Sequence, residues 1–220
     1  MPRLARQPQS TFSSLTTIMK KRRPLIALDA DGVLLDYLEG YADAWREAFG
    51  TRPQVKDPLG YGPLDRWDVP LLDADGRAHF RQHFGTKFWS SLPAVSGAVE
   101  ACARLHDAGF ELVCVSALDA QFEASRLKNL HALGYPIERV YATPHDGGYR
   151  SPKADRLAEL RPVAFVDDYL PYLRGVEPNV HTALVTRGAT LGPNASPEMT
   201  LAKSTHLDLA AFADFWLQRD

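Results

Sequence analysis

The stretch PLIALDADGVLLDY, residues 24–37, contains the pattern on which the fold prediction depends. Leu25 to Leu28 form an unbroken apolar run, which favours a strand buried on both faces of a sheet. Asp29 and Asp31 follow this run directly. Two carboxylates about 4 Å apart repel each other by roughly 4 kcal/mol at an effective dielectric of about 20. They are either turn and cap residues or a pair that serves a cation, and the rest of the chain decides between these two interpretations.

Strand and helix patterns alternate along the remaining sequence. Further strands are predicted at 110–117, 140–143, 163–168 and 181–186, and helices at 34–49, 77–90, 95–108, 120–133, 153–160 and 207–217. This alternation is typical of a parallel sheet with helices on both faces, so we predict an α/β fold with a Rossmann-like core.

One segment interrupts the alternation. Nearly sixty residues without a clear strand separate the first strand from Pro93, which is too long for one crossover loop. We therefore predict a small, mainly helical cap at 34–92, inserted after the first strand, and an α/β core made of 24–33 and 93–220. Loops and short turns are expected at 50–76, because prolines, glycines and aspartates are frequent there.

Composition excludes several classes of function. The chain has 220 residues and a net charge of −2, which argues against general nucleic-acid binding. It has no apolar run of the roughly 18 residues that a membrane span needs. Cys102 and Cys114 have apolar neighbours and are interpreted as reduced core thiols, so we expect a cytoplasmic protein. Residues 1–23 are basic and lack acidic residues. We expect a disordered tail there, with a transit peptide or a true start at Met19 as alternatives.

Polar side chains follow the predicted strands at the points where the strands end. Ser116 ends the second strand, Asp167 and Asp168 end the fourth, and Lys153 begins the helix before the fourth. Ligands bind at the carboxyl ends of strands in open α/β sheets. Mg²⁺ prefers oxygen ligands and commonly binds together with phosphate oxygens. These residues therefore predict that the two aspartates serve a metal ion and a reaction at the carboxyl ends of the strands.

Four short motifs occur in the order found in one superfamily. They are DADGV at 29–33, Ser116 in VCVSA, Lys153 in SPKAD and FVDDY at 165–169. In this arrangement the chain resembles the haloacid dehalogenase superfamily of phosphohydrolases, and the position of the insert resembles its type-one helical cap. The resemblance covers the chain from about residue 24 to 215 and implies a phosphatase that acts on a small phosphorylated metabolite. Neither a nucleic acid nor a membrane is expected as a partner.

The resemblance also implies catalytic roles. Asp29 would be the nucleophile that forms an aspartyl-phosphate. Asp31 would protonate the leaving oxygen and then accept a proton from water. Ser116, Ala117 and Lys153 would bind the phosphoryl group, with Lys153 neutralising its charge. Because dehalogenases and phosphonatases of this superfamily lack the second aspartate, Asp31 favours phosphatase or phosphomutase chemistry.

Metal binding is implied as well. Mg²⁺ is the expected cofactor, and its expected site residues are Asp29, Asp31 through its backbone carbonyl, Asp167 and Asp168. Asp168 would act on a metal-bound water or orient Lys153.

Other functions fit part of the pattern. A phosphomutase or phosphotransferase would use the same chemistry, and a non-catalytic phosphate-binding protein would keep the fold alone. A signalling receiver domain also gathers acids, a hydroxyl and a lysine, but there the acidic pair comes first and the lysine last. Among the individual residues, Ser116 could instead cap a helix, and Asp36, Tyr37, His145 and Arg150 are candidate substrate contacts.

Overall fold

The central feature of the fold is a six-stranded parallel sheet. The computed structural model describes residues 23–146, 148–189 and 192–219, so the predicted tail lies outside the described residues except for Arg23. In chain order the strands of the described residues are β1 (Leu25–Leu28), β2 (Gln54–Val55), β3 (Trp67–Asp68), β4 (Glu111–Ala117), β5 (Val140–Thr143), β6 (Ala164–Asp167), β7 (His181–Val185) and β8 (Ser204–His206). All except β2 and β3, which form a separate pair, belong to this sheet. The sheet has the order β5-β4-β1-β6-β7-β8, and each neighbouring pair is parallel.

Helices cover both faces of this sheet. They are α1 (Tyr37–Phe49), α2 (Pro63–Arg66), α3 (Ala74–Arg81), α4 (Thr86–Trp89), α5 (Ala98–Asp107), α6 (Glu123–Ala132), α7 (Ala154–Leu160) and α8 (Leu209–Leu217). The predicted α/β fold class is therefore confirmed. No helix among the described residues is both long enough and apolar enough to cross a membrane.

Alternation of side chains along β1 explains the two-sided core. Ile26 and Leu28 belong to the larger apolar cluster, which includes the buried faces of α5 and α8, whereas Ala27 belongs to a second cluster with Phe165 and Leu157. Successive side chains of a strand point to opposite faces. Since β1 lies between β4 and β6 and is covered on both sides, it must be apolar throughout, as its sequence indicated.

The cap segment, which lies between β1 and α5, contains four helices and the antiparallel pair β2–β3. Its interior is aromatic: Phe80 packs edge-to-face on Tyr41 at 5.0 Å and on Trp45 at 5.3 Å between ring centroids. The indole N–H of Trp67 donates to the carbonyl of Leu38 at 3.0 Å. This packing agrees with a helical cap, although the domain boundaries at 34 and 92 stay predictions.

Several element boundaries differ from the predicted ones for local reasons. The first helix begins at Tyr37, since Asp36 is its N-cap and accepts a hydrogen bond from the Glu39 amide at 3.0 Å. The helix predicted at 77–90 is two helices. The first, α3, ends at Arg81, and the second, α4, begins at Thr86 after its N-cap residue Gly85. The loops predicted at 50–76 contain α2 and the short β2–β3 pair.

Strand β8 was not predicted. Its three residues, Ser204–His206, are all polar, and none is fully buried. They pair in parallel with β7 at the edge of the sheet. Short polar strands have no apolar alternation from which to recognise them. The prediction that Cys102 and Cys114 are buried free thiols is confirmed.

Candidate active site

Asp29 and Lys153 form the centre of the site. Asp29 directly follows β1, and its Oδ1 lies 2.5 Å from Lys153 Nζ. The same ammonium donates to Asp167 Oδ2 at 2.7 Å. Lys153 precedes α7 and is fully buried. Its charge lies between two carboxylates that come from adjacent strands.

Three buried carboxylates converge beside this lysine. One oxygen from each of Asp29, Asp167 and Asp168 lies within 4.8 Å of the others. Burial raises the pKa of Asp29 and raises that of Asp167 well above its ordinary value, although Lys153 opposes both shifts. Burial likewise raises the pKa of Asp168 to about 7. For the lysine, burial disfavours the charge, but the carboxylates of Asp167 and Asp29 outweigh it and raise its pKa. Burial therefore disfavours the charged form of all three carboxylates.

This group fits a magnesium ion in its chemistry. Mg²⁺ takes oxygen ligands and usually keeps several waters, so it needs only one or two protein carboxylates. Asp29 and Asp167 offer oxygens of this kind from strands that are hydrogen-bonded neighbours. A divalent cation would also favour the charged carboxylates, and so oppose the burial and the smaller mutual repulsion that raise these pKa values.

Ser116 provides a hydroxyl near the acidic group. It belongs to β4, it is buried, and its Oγ finds no hydrogen-bond partner among the described residues. Helix α6 begins only at Glu123, so Ser116 does not act as a helix cap. A buried hydroxyl without a partner costs about 1–3 kcal/mol. Ser116 and Ala117 both line the cavity described below, so a ligand there could satisfy this hydroxyl.

Asp31 lies apart from the three carboxylates. Both of its oxygens accept from Arg126, with Nη1–Oδ1 at 2.6 Å and Nη2–Oδ2 at 3.0 Å. Its side chain is therefore not one of the grouped carboxylates, and the proposed use of its backbone carbonyl as a metal ligand stays a prediction. Arg126 belongs to α6 and is fully buried.

Asp168 pairs with a cation other than the predicted one. Its Oδ2 lies 3.0 Å from Arg187 Nε, whereas Lys153 contacts Asp29 and Asp167. Lys153 thus has no hydrogen bond to Asp168 in the structure, and the alternative role of Asp168, action on a metal-bound water, stays a prediction. Asp168 lies close to the backbone of Gly32. Gly32 has φ +85°, and a Cβ on it would lie 2.2 Å from Asp168 Oδ2.

Arg187 joins the cap segment to the core. Its Nη2 donates to the carbonyl of Tyr61 at 3.0 Å, and its guanidinium lies 4.6 Å from the centre of the Tyr61 ring. The Tyr61 hydroxyl in turn donates to the backbone carbonyl of Asp168 at 3.2 Å. These contacts close one side of the site over the acidic group.

A cavity of about 320 Å³ opens above the carboxylates. Acidic side chains and Ser116 form its floor. Its walls are largely aromatic and come from both the cap segment and the core: Tyr37, Tyr61, Trp89, Tyr169 and Tyr172. A cavity of this size suits a small ligand with a polar end and an apolar or planar body.

The candidate substrate contacts divide into two groups. Tyr37 and His145 line the cavity. The side chain of Asp36 caps α1, and Arg150 pairs with Asp155 on the surface.

Sequence reasoning missed two arginines, Arg126 and Arg187. Arg187 follows β7 by two residues, so its position at a strand end was a usable signal. Arg126 had no such signal, because it is one of several charged residues in a helix, and its partner Asp31 lies 95 residues earlier.

Comparisons with known proteins agree with this architecture. No family model matches the chain, and no curated protein matches it in sequence. Among solved structures, a haloacid dehalogenase-like family hydrolase from Streptococcus pneumoniae is similar with a TM-score of 0.59 and 14% identity, over 88% of this chain and 98% of that one. A predicted phosphatase from Clostridium acetobutylicum is similar with a TM-score of 0.58 and 16% identity, over 90% and 100%.

A third solved structure gives the same result. A predicted phosphoglycolate phosphatase from Haemophilus somnus has a TM-score of 0.56 and 15% identity, over 88% of this chain and 98% of that one. All three likenesses extend over nearly the whole chain. Together with the observed strand order, they confirm the fold that the four motifs predicted: this protein has the haloacid dehalogenase-like fold.

Proposed function

We propose that this protein is a Mg²⁺-dependent phosphatase that hydrolyses a small phosphorylated metabolite through an aspartyl-phosphate on Asp29. One observation carries this proposal: Asp29, Asp167 and Asp168 approach within 4.8 Å of one another beside a buried lysine, and Asp29 and Asp168 line a cavity. A carboxylate attacks an anionic phosphoryl group only when nearby cations cancel the repulsion. Lys153 supplies one such charge.

In the first step, a carboxylate oxygen of Asp29 attacks phosphorus. The bond from phosphorus to the ester oxygen breaks, and the leaving oxygen takes a proton from Asp31. The Lys153 ammonium, hydrogen-bonded to Oδ1 of Asp29, balances charge on the nucleophile and on the phosphoryl oxygens. The Ser116 hydroxyl donates to one of those oxygens and thereby gains the partner that it lacks.

In the second step, water attacks the phosphorus of the aspartyl-phosphate. Asp31 takes the proton from this water, the acyl phosphate bond breaks, and phosphate leaves with the Asp29 carboxylate restored. When bound, Mg²⁺ would neutralise charge on the phosphoryl oxygens, and Asp29 and Asp167 would hold it.

The cavity favours hydrolysis over transfer between two phosphorylated positions of a sugar. A mutase must also bind a second phosphate group, which needs free cations. Among the described residues that line the cavity, the basic ones are His145 and Arg187, and Arg187 is already paired with Asp168. We therefore favour the phosphatase over the phosphomutase.

A cytoplasmic location also stays a prediction.

The proposal is tested by phosphate release from p-nitrophenyl phosphate and a metabolite panel. We expect turnover with Mg²⁺, none with EDTA, recovery when Mg²⁺ is restored in excess, and loss of about a thousandfold or more in Asp29→Asn. Arg104→Gln is the matched control, because Arg104 forms an exposed ion pair with Asp214 far from the cavity. Full turnover in Asp29→Asn would remove Asp29 as the nucleophile, and inactivity of the wild type across the panel would refute the phosphatase.

A further inference from the structure

The most unusual charged group outside the acidic centre is Arg126. It is fully buried in α6 and does not line the cavity. A guanidinium has five N–H donors. Two of them donate to Asp31, while Nε finds no acceptor among the described residues. Burying an arginine is costly when its donors are not satisfied. Packing of α6 alone therefore does not explain this residue.

The contact with Asp31 is geometrically restrictive. Each oxygen of the carboxylate accepts from a different terminal nitrogen of Arg126, so the fork fixes both the direction and the plane of the carboxylate. Asp31 is 26% exposed, whereas Arg126 is not exposed at all. The exposed part of Asp31 faces the cavity. The arginine therefore holds the carboxylate from behind and leaves its other side open.

A second contact links this pair to the cap segment. The guanidinium carbon of Arg126 lies 4.9 Å from the centre of the Trp89 ring. Trp89 is the last residue of α4 and lines the cavity. Its indole N–H donates to the carbonyl of Phe84 at 2.9 Å, which anchors the ring within the cap segment. Arg126 is thus restrained by α6 and by an aromatic wall of the cavity.

We propose that Arg126 is a positioning residue that holds Asp31 through both oxygens at the cavity wall, where Asp31 exchanges protons with the leaving oxygen and with water. This inference rests on the proposed function. Each carboxylate oxygen keeps a free lone pair while it accepts from Arg126, so the contact does not block proton exchange. Arg126 also counters the repulsion between Asp31 and the grouped carboxylates, which would otherwise turn Asp31 away from them. Because Arg126 does not reach the cavity, it acts only through Asp31.

The alternative is a purely structural ion pair, and the two differ in their dependence on the leaving group. A p-nitrophenolate leaves with little need for a proton, whereas an alkoxide needs one. The value of kcat/KM reports the steps up to formation of the aspartyl-phosphate. Loss of a positioned acid therefore lowers kcat/KM more for an alkyl phosphate than for p-nitrophenyl phosphate, whereas general damage to the fold lowers both equally.

The test compares Arg126→Gln, Arg126→Lys, Asp31→Asn and the double variant Asp31→Asn/Arg126→Gln on both substrates. For Arg126→Gln we expect a loss at least tenfold larger on the alkyl phosphate than on p-nitrophenyl phosphate. Lysine keeps the charge but not the fork, so Arg126→Lys should show the same difference at smaller size. The double variant should be no slower than Asp31→Asn alone. Thermal unfolding identifies variants that do not fold, and Arg104→Gln serves as the control.

Each outcome has a defined meaning. Equal losses on the two substrates, wild-type behaviour of Arg126→Lys, or multiplying losses in the double variant would overturn this inference alone. If Arg126→Gln does not fold, the lysine and double variants decide, since one keeps the charge and the other removes both charges. Absence of wild-type turnover, or full turnover in Asp29→Asn, would overturn the proposed function and this inference together.

Discussion

At the scale of single residues, the buried polar groups of the site lower the stability of the folded protein, and a bound ligand would offset this loss. Asp29, Asp167 and Asp168 are buried together with a pKa raised for each, and the Ser116 hydroxyl is buried without a partner among the described residues. Such groups lower stability unless something binds to them. Ser116 and Asp168 each allow a test of this loss of stability.

The first concerns Ser116. In Ser116→Ala we expect the free energy of unfolding to stay level or rise by about 1 kcal/mol, because the change removes a buried hydroxyl that has no partner. We expect kcat/KM to fall about tenfold or more, since a phosphoryl oxygen loses a donor. Urea denaturation and steady-state kinetics measure the two effects.

The matched control for this prediction is Thr143→Val on the neighbouring strand. The Thr143 hydroxyl donates to the backbone carbonyl of Ser116 at 3.3 Å, so its loss should lower stability and spare kcat/KM. A clear loss of stability in Ser116→Ala, with normal kinetics, would contradict a phosphate-binding role.

The second prediction concerns pH. Burial, with Asp29 contributing, raises the pKa of Asp168 to about 7 from its ordinary value of 3.8, and Arg187 only partly opposes this. A raised carboxyl pKa means that the folded state binds the proton more tightly. The stabilisation is therefore complete below pH 3.8 and is lost as pH rises through about 7.

Thermal unfolding in EDTA between pH 5 and 8 measures this effect. The unfolding temperature of the wild type should fall with rising pH more steeply than that of Asp168→Asn. His181, whose pKa burial lowers to about 4, acts in the opposite direction between about pH 4 and 6.5 and is common to both proteins. Equal slopes for the two proteins would show that Asp168 does not titrate in this range.

Residues at strand ends were predictable, and residues on helices were not. Asp29, Ser116 and Asp167 follow from one rule, since the carboxyl ends of parallel strands meet at one edge of a sheet. Arg126 does not follow from any local pattern. Its role depends on a contact between α6 and the residue two positions after β1, and that contact exists only once the sheet has brought β1 beside β4.

At the scale of elements, local caps decide where helices begin. The side chain of Asp36 accepts from the Glu39 amide at the start of α1. Asp208 caps α8 in the same way and accepts from the Ala211 amide at 2.7 Å. Helix α1 leads from the loop after β1 into the cap segment. Its start therefore influences how the cap segment leaves the core.

Loss of this cap gives the third prediction. Asp36→Ala should lower the free energy of unfolding by about 1 kcal/mol, because one amide at the helix start loses its acceptor. Asp36→Asn keeps an acceptor oxygen and should stay within about 0.5 kcal/mol of the wild type. Urea denaturation of the three proteins measures the difference. A loss in Asp36→Asn as large as that in Asp36→Ala would show that charge, not capping, matters at this position.

The periodicity of the sequence identified long elements better than short ones. Strands β1, β4, β5, β6 and β7 were predicted within one residue. For the inner strands β1, β4 and β6 the reason is that buried parallel strands are continuous apolar runs. The edge strand β8 and the pair β2–β3 have two or three residues each, and pairing with neighbours defines them more than their own composition does. The split between α3 and α4 was likewise missed, because the aromatic residues from Phe80 to Phe88 continue the helical spacing through it.

At the scale of the whole molecule, the cap segment and the core build one site together. The cavity takes its acidic floor from loops after the strands, and part of its aromatic wall from Tyr37, Tyr61 and Trp89 of the cap segment. Arg187 and Tyr61 join the two parts. Under the proposed function, a phosphorylated substrate in this cavity would be shielded from water on one side, with its phosphate at the carboxylates.

The most direct test of the central claim, that Asp29 is a nucleophile beside a divalent ion, is a crystal structure with Mg²⁺ and beryllofluoride, a mimic of the transferred phosphoryl group. We predict beryllofluoride bonded to an Asp29 oxygen, Mg²⁺ held by Asp29 and Asp167, and the Ser116 hydroxyl within hydrogen-bond distance of a fluorine. Beryllofluoride bound to another side chain, or Mg²⁺ bound away from the acidic group, would contradict it.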